Sequence, residues 1–391
     1  MLTPAQIAAV RRLFPHTATG KLYLNHAATS PLALPVVEAI AAHLQEWSTG
    51  ALETYRDDMA MIGELRERVA RLIGAESPAR IALQTNTSDA ICVVAAGLPW
   101  KSGDRILLND AEFPANVHPF VNMRRHGVEI DFLETPDGAV TPEAVRRALT
   151  SRTRLVALSA VQFLSGFRAD LAAIGSLCRE RGVVFAVDGI QAVGAVRLDV
   201  VRMKIDALAA GCQKWQMGPR GGGFLYVTEE LQAELKQAYL GWLAVADPWN
   251  FFDYDQGPAP SARRYEGGTP AIPSLWGMHA ALGLLLEAGP EAVEERILSH
   301  SGRLIDTFRE AGLRLLTPGE AARRAGIVTV RIREGLDGHA LMKELGRRDV
   351  VASLREGALR LSPHFYNSEE ELDRAATHVL EGLRSIGRSG K

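Results

Sequence analysis

Cysteine is scarce in this sequence. Cys92, Cys178 and Cys212 are its three thiols, far apart and outside any CxxC spacing. That excludes a disulfide framework and a structural zinc site, and it points to a reducing, cytoplasmic setting. Long apolar runs are missing too: "ICVVAAGLPW" reaches about half of the ~20 residues a membrane helix needs. Neither sign of charge is in excess. A net charge of -2 leaves no footprint for nucleic acid or an anionic membrane surface. No acidic residue precedes Glu38, yet the N-terminal stretch lacks the apolar core of a signal peptide, and "TPAQIAAVRRLF" reads as an amphipathic first helix. Repeats and low-complexity segments are absent. What remains is an ordinary globular composition, 47% hydrophobic and 23% charged over 391 residues, enough for two domains.

From residue 80 onward, strand-like and helix-like segments alternate. "RIALQTN", "DRILLND", "VEIDFLE", "TRLVALSAV", "VVFAVDG", "IDALAAG" and "GGFLYV" read as strands. Between them "TSDAICVVAAGL", "PANVHPFVNMRRHG", "TPEAVRRALT" and "DLAAIGSLCRERG" read as helices. This alternation implies βαβ units and an α/β fold with a largely parallel sheet. Several strands are apolar throughout, as when helices cover both faces. Residues 229–275, rich in Pro, Gly and aromatics, read as irregular. A long helix is predicted from near Ser274, followed by a tail with helix, strand, helix, strand and helix patterns that forms a separate α+β layer. The expected division is a large domain over residues 21–275 and a small C-terminal domain over 276–391, joined by 1–20.

In open α/β sheets, ligands sit at the carboxyl ends of the strands, and three features fall there. Thr87 and Ser88, in "QTNTSDA", start a helix whose free N–H groups suit a phosphate; a plain helix cap is the other reading. Asp188 ends the apolar strand of "VVFAVDGIQAVG". A carboxylate there needs a partner, either a protonated ring nitrogen or an ordinary arginine or helix end. Lys214, in "GCQKWQMGPRGGGFLYV", sits among apolar residues. Burial would make it a carbonyl nucleophile; otherwise its stem is buried and its head solvated. A P-loop is excluded, because its glycines precede the lysine. Together the three describe pyridoxal phosphate, which needs a phosphate cradle, an acid at its ring nitrogen and a Schiff-base lysine.

The motifs "YLNHAATSPL", "NTSDA", "EFPANVHPF", "VDGIQAVG", "QKWQMGPRGGGFLYV", "RRYEGGTP" and "LRLSPHFYNSEEELD" follow one another in family order. The chain thereby resembles the class V aminotransferase group of fold-type I pyridoxal-phosphate enzymes, near the cysteine desulfurase, selenocysteine lyase, isopenicillin N epimerase and kynureninase branches. The resemblance implies a large domain with a mostly parallel seven-stranded sheet flanked by helices, and a smaller C-terminal α+β domain. It makes Lys214 the Schiff-base lysine and Asp188 the partner of the pyridinium nitrogen. It sets Gln191 at the ring 3′-oxygen with Gln162 supporting that region, and Phe113 stacked on the ring. Thr87 and Ser88 become the phosphate pair, and Thr269 reaches the phosphate of a neighbouring subunit in a homodimer with shared sites. Arg360 grips the substrate carboxylate, with Asn25, His26 and Tyr55, and Arg56 beside it, on the substrate side. No metal, nucleic acid or membrane is implied.

Three departures from the desulfurase pattern bear on the reaction. Gln213 stands where desulfurases have histidine. Gly211 stands where a serine phosphate ligand is expected, so Gln213 or backbone N–H groups must help hold the phosphate. The segment "VVASLREGALRLS" has no persulfide-forming cysteine, and Cys212 reads as packing. The expectation is an enzyme acting on an amino acid through a Schiff base and a quinonoid, by β-elimination of the carbon–sulfur lyase type. The alternative is an epimerase or aminotransferase like isopenicillin N epimerase, and a non-catalytic pyridoxal-phosphate-binding protein is a further one. In residues 239–265, Trp242, Trp249 and Phe251 either line an apolar mouth or pack.

Overall fold

The structure is a computed structural model and describes residues 2–135 and 138–389. Its strands in chain order are β1 (Leu22–Tyr23), β2 (Ile81–Gln84), β3 (Arg105–Asn109), β4 (Glu129–Leu133), β5 (Thr153–Ser159), β6 (Val184–Asp188), β7 (Ala207–Gly211), β8 (Gly223–Val227), β9 (Val328–Arg331), β10 (Val350–Val351), β11 (Ser353–Arg355) and β12 (Ala358–Leu361). Seven of them form one sheet in the order β2-β8-β7-β6-β5-β3-β4. Only β8 runs against its neighbours in that sheet; the other pairings are parallel. The apolar strands explain the layering. Successive side chains of a strand point to opposite faces. Leu158, Phe185, Val187 and Leu208 enter one core, while Ala157, Val184, Ala186 and Ala207 enter another. Both faces are covered, so polar alternation is absent.

The C-terminal layer is a three-stranded antiparallel sheet, β11-β12-β9, with its own core built from residues such as Phe308, Val330, Leu345, Leu361 and Val379. The N-terminal segment joins it: Leu22 and Leu24 lie in that core, and β1 pairs in parallel with β10. Arg11 holds Glu371 with two hydrogen bonds, and Phe14 stacks on Tyr366 at 3.8 Å between ring centres. Among the described residues no helix is long and apolar enough to cross a membrane.

Several elements differ from the sequence expectation. The single helix read into 114–127 is three short pieces, Pro114–Asn116, His118–Val121 and Asn122–His126. Pro119 supplies no N–H, so a continuous helix cannot run through it. The long helix begins at Ile272, with Pro273 in its first turn. Helices Leu34–Ser48 and Tyr55–Ile73 lack a side-chain cap hydrogen bond, and Pro35 in the one and Asp57 and Asp58 in the other are their start signals; both are held by packing on Ile272–Ala288.

Two segments that carry predicted site residues touch at Gly194. It has φ +90°, and a Cβ there would lie 2.5 Å from the backbone oxygen of Trp215. The turn after β6 therefore lies directly against the Lys214 segment. Gly194→Ala should lose about 2 kcal/mol or more through strain and overpacking, seen as a lower denaturant midpoint at unchanged slope. A wild-type midpoint would contradict the close approach.

Candidate active site

The predicted residues gather past the carboxyl ends of β2, β3, β5, β6 and β7. Asp188 is 2% exposed at the end of β6. Its Oδ1 accepts from the Ile190 backbone N–H at 2.9 Å, while Oδ2 has no hydrogen-bond partner. Burial raises its pKa, Glu112 adds to the rise, and Lys214 opposes it. Lys214, half-buried, is shifted the other way. Burial lowers its pKa, Arg360 and Arg355 lower it further, and Asp188 pulls it back. An acid with one bare oxygen thus faces an amine held toward its neutral form.

The amine of Lys214 lies 5.6 Å from the centre of the Phe113 ring, and Phe113 meets Phe163 edge-on at 5.3 Å. The sequence does not single out Glu112, which fixes this aromatic wall. Glu112 is buried and accepts hydrogen bonds from Ser159 N–H and hydroxyl, Asn109 and the Phe113 N–H. A carboxylate just before an aromatic after a strand was its only signal. Gln162 is 1% exposed, and both ends of its amide lack partners. An unpaired amide at that depth is costly unless a ligand meets it.

Arg360 is 2% exposed on β12. It donates to the Phe163 carbonyl at 2.7 Å and to the Ser353 hydroxyl at 3.3 Å, and it has no acidic partner among the described residues. Burial lowers its pKa to about 10. The guanidinium is therefore available to a carboxylate from outside.

The helix start at Thr87 completes the cluster. The Thr87 hydroxyl accepts from the Gly211 N–H at 2.9 Å, which leaves its own proton free to donate. Thr87 and Ser88 open the helix Thr87–Gly97, capped by Asn86. A Cβ on Gly211 would meet Gln213 Oε1 at 2.5 Å. The amide of Gln213 occupies the space into which a serine at 211 would project.

Other predicted residues are placed differently. The amide of Gln191 donates to the Ala27 carbonyl and accepts from the Trp215 indole, so its hydrogen bonds lock the Lys214 segment. His26 is fully buried between the Ser362 carbonyl and the Tyr366 hydroxyl. A carbonyl only accepts, so Nδ1 carries the proton and Nε2 accepts from Tyr366. His26 is a neutral strut that does not face a substrate. Asn25, in a bridge with Ser362, keeps a buried Oδ1 without a partner. Tyr55 and Thr269 line a cavity of about 400 Å³ with Trp47, Trp242 and Trp249. Thr269 also lines a cleft with Thr85 and Asp89; Lys214 is in neither. Trp249 meets Tyr55, Trp242 and Phe251 edge-on. Among the described residues no group of three or more His, Cys, Asp or Glu could hold a metal ion.

Known proteins place this geometry. The sequence profile described as "Aminotransferase class-V" matches residues 22–375. Isopenicillin N epimerase of Streptomyces clavuligerus is 32% identical over 380 residues, 90% of this chain and 92% of that protein. An apo cysteine desulfurase from Thermococcus onnurineus superposes with a TM-score of 0.89 at 24% identity, covering 99% of both chains. A cystine C–S lyase superposes with a TM-score of 0.86 at 26% identity, over 94% of this chain and 99% of that one, in complex with its reaction product cysteine persulfide. A lysine-to-alanine mutant of the same lyase carries glycine covalently linked to the pyridoxal-phosphate cofactor. These alignments run nearly end to end, so the likeness is one of whole chains and not of a shared motif: this chain belongs to the class-V aminotransferase family of enzymes.

Proposed function

We propose that the chain is a pyridoxal-phosphate enzyme that acts on an amino acid and expels a substituent from its β-carbon, as a carbon–sulfur lyase does, without carrying sulfur on a cysteine of its own. The observation that carries this is the bare Oδ2 of buried Asp188, beside a lysine held toward its neutral form. A protonated ring nitrogen satisfies that oxygen, and the Phe113–Phe163 wall suits a flat ring. Thr87, Ser88 and Gln213 are the residues that would hold the phosphate. When bound, the cofactor supplies an electron sink that acidifies the substrate α-proton.

The chain's own groups do the rest. Lys214 is the residue that would hold the cofactor through its neutral amine and, once the substrate amino group has displaced it, would be free to move the α-proton. Arg360 orients the substrate by its carboxylate. The neighbouring histidines are poor candidates for a second base. His26 is locked as above, and His364 donates to the Trp215 carbonyl while accepting from the Phe365 N–H. Burial pushes the pKa of His364 down to about 4.

The β-elimination reading is supported by the thiols. Cys212 is fully buried, its Sγ donates to the Pro219 carbonyl, and burial pushes its pKa up to about 12. Cys178 is buried as well, and the exposed Cys92 lies in the helix Thr87–Gly97 and not in the segment before Arg360. A second reading is an epimerase or aminotransferase, favoured by the 32% identity to isopenicillin N epimerase. A non-catalytic cofactor-binding protein fits less well with a chain that keeps Lys214, Asp188 and Arg360 together. The half-exposed Trp242, Trp249 and Phe251 support a homodimer in which Thr269 serves the neighbouring site, and three free thiols suit a cytoplasmic enzyme.

Incubation with S-substituted cysteines should yield pyruvate and ammonia, and Cys212→Ala should keep that turnover. No keto acid from any such substrate would sink the lyase reading. Inversion with solvent deuterium at Cα would favour the epimerase, and amino transfer to an added 2-oxo acid the aminotransferase.

Lys214→Ala should abolish turnover and the visible cofactor band. In the wild-type apoprotein, attachment of added pyridoxal phosphate requires the neutral amine. Its rate should rise with pH and level off well below ~10.4, the value of an ordinary lysine. A rate still climbing at that pH would contradict a lowered Lys214. Asp188→Asn should retain cofactor but turn over about 100-fold slower.

A further inference from the structure

We propose that Arg355 is a second anion anchor of this site and that the substrate is an amino acid whose side chain carries its own acidic group. Arg360 takes the α-carboxylate, and Arg355 takes the side-chain anion. The proposal rests on reading the Lys214 site as an amino-acid site.

The hairpin geometry carries it. β11 and β12 pair antiparallel, with Ser353 opposite Arg360 and Arg355 opposite Ala358. Paired residues share a face, and so do alternate residues of one strand. Arg355 and Arg360 therefore project from the same face, as diagonal neighbours about 7–8 Å apart along the ladder. The hydrogen bond from Arg360 to Ser353 shows which face that is. Ala358, between them, is too small to separate the two guanidinium groups. The turn is a tight two-residue one. Glu356 and Gly357 have φ +46° and +70°, the positive values of a primed hairpin turn. Arg355 thus sits at the end of a fixed strand and not on a loose loop.

The surroundings lack the counter-charge such a pair would otherwise need. Among the described residues Arg355 forms no ion pair, and its one hydrogen bond is to the carbonyl of its neighbour Leu354, at 3.1 Å. Its charge nevertheless reaches the site, lowering the pKa of both Lys214 and Arg360. The two guanidinium groups share a face, and neither has an acidic partner among the described residues. Arg360 is buried and Arg355 exposed, so the inner one suits the α-carboxylate and the outer one a group nearer the mouth. A substrate with one carboxylate leaves Arg355 unused.

The test is calorimetric titration of the holoenzyme with two unreactive probes, glutarate and butyrate. Glutarate should bind about tenfold tighter or more, the worth of an added charge-assisted hydrogen bond. Arg355→Gln should bring the two probes to near parity without weakening butyrate, Arg355→Lys should restore part of the preference, and Arg360→Gln should weaken both. In turnover, Arg355→Gln should raise KM for S-(2-carboxyethyl)cysteine several-fold more than that for S-propylcysteine. Parity in the wild type, a preference that survives Arg355→Gln, or no binding of either probe would overturn the proposal. Failure of the cofactor reading shows separately, as a missing visible band, and leaves the calorimetric comparison to decide on Arg355.

Discussion

A carboxylate buried at the end of a central strand with one oxygen unpaired is a severe constraint, and the rest of this structure is arranged around it. Removing a charge from water costs several kcal/mol unless something pairs with it. Asp188 receives only the Ile190 N–H from the chain, with Lys214 too far to hydrogen-bond yet close enough to shift it. The site is incomplete by design of its own electrostatics: an acid raised, an amine lowered, an arginine without an acid. Under the proposed function, each imbalance is one that a ligand bringing a protonated nitrogen, a carbonyl carbon and a carboxylate would relieve.

Holding such a site open needs rigid surroundings. Trp215, fully buried beside Lys214, is fixed at its indole by Gln191 and at its carbonyl by His364. Gly194 lets the turn after β6 lie flat on that carbonyl. Glu112 ties the Phe113 loop to β5 through Ser159. The C-terminal layer closes the site with the Arg360 contact to Phe163. The segment 364–367 packs between the two layers, with His26 and Phe14 against Tyr366. Two residues that the resemblance sets at the site, His26 and Gln191, are part of this scaffold, as is Cys212, which reads as packing in the sequence.

Much of the large sheet was legible because fully buried strands and their helices have distinct apolar patterns. Lys214, Asp188 and the Thr87–Ser88 helix start were legible because strand ends in an α/β sheet point to one edge. The two early helices were less so, because tertiary packing and not a side-chain cap holds them. Glu112, Phe163 and Arg355 escaped notice for a related reason: each acts through a neighbour distant in sequence. Gln191 is set at the cofactor by the family resemblance, and only the fold shows its amide bonded to Ala27 and Trp215.

The sequence by itself determined the alternation of strands and helices, the presence of a lysine and an acid beside strand ends, and the lack of a thiol before Arg360. These follow from local periodicity and residue chemistry, which need no knowledge of distant contacts. The tertiary structure decided which polar atoms are satisfied. Whether Asp188 keeps a bare oxygen, whether His26 is reachable, and whether Arg355 shares a face with Arg360 depend on strand register and on packing between segments up to hundreds of residues apart. Hydrogen-bond satisfaction is a property of neighbours in space, and no pattern along the chain encodes it.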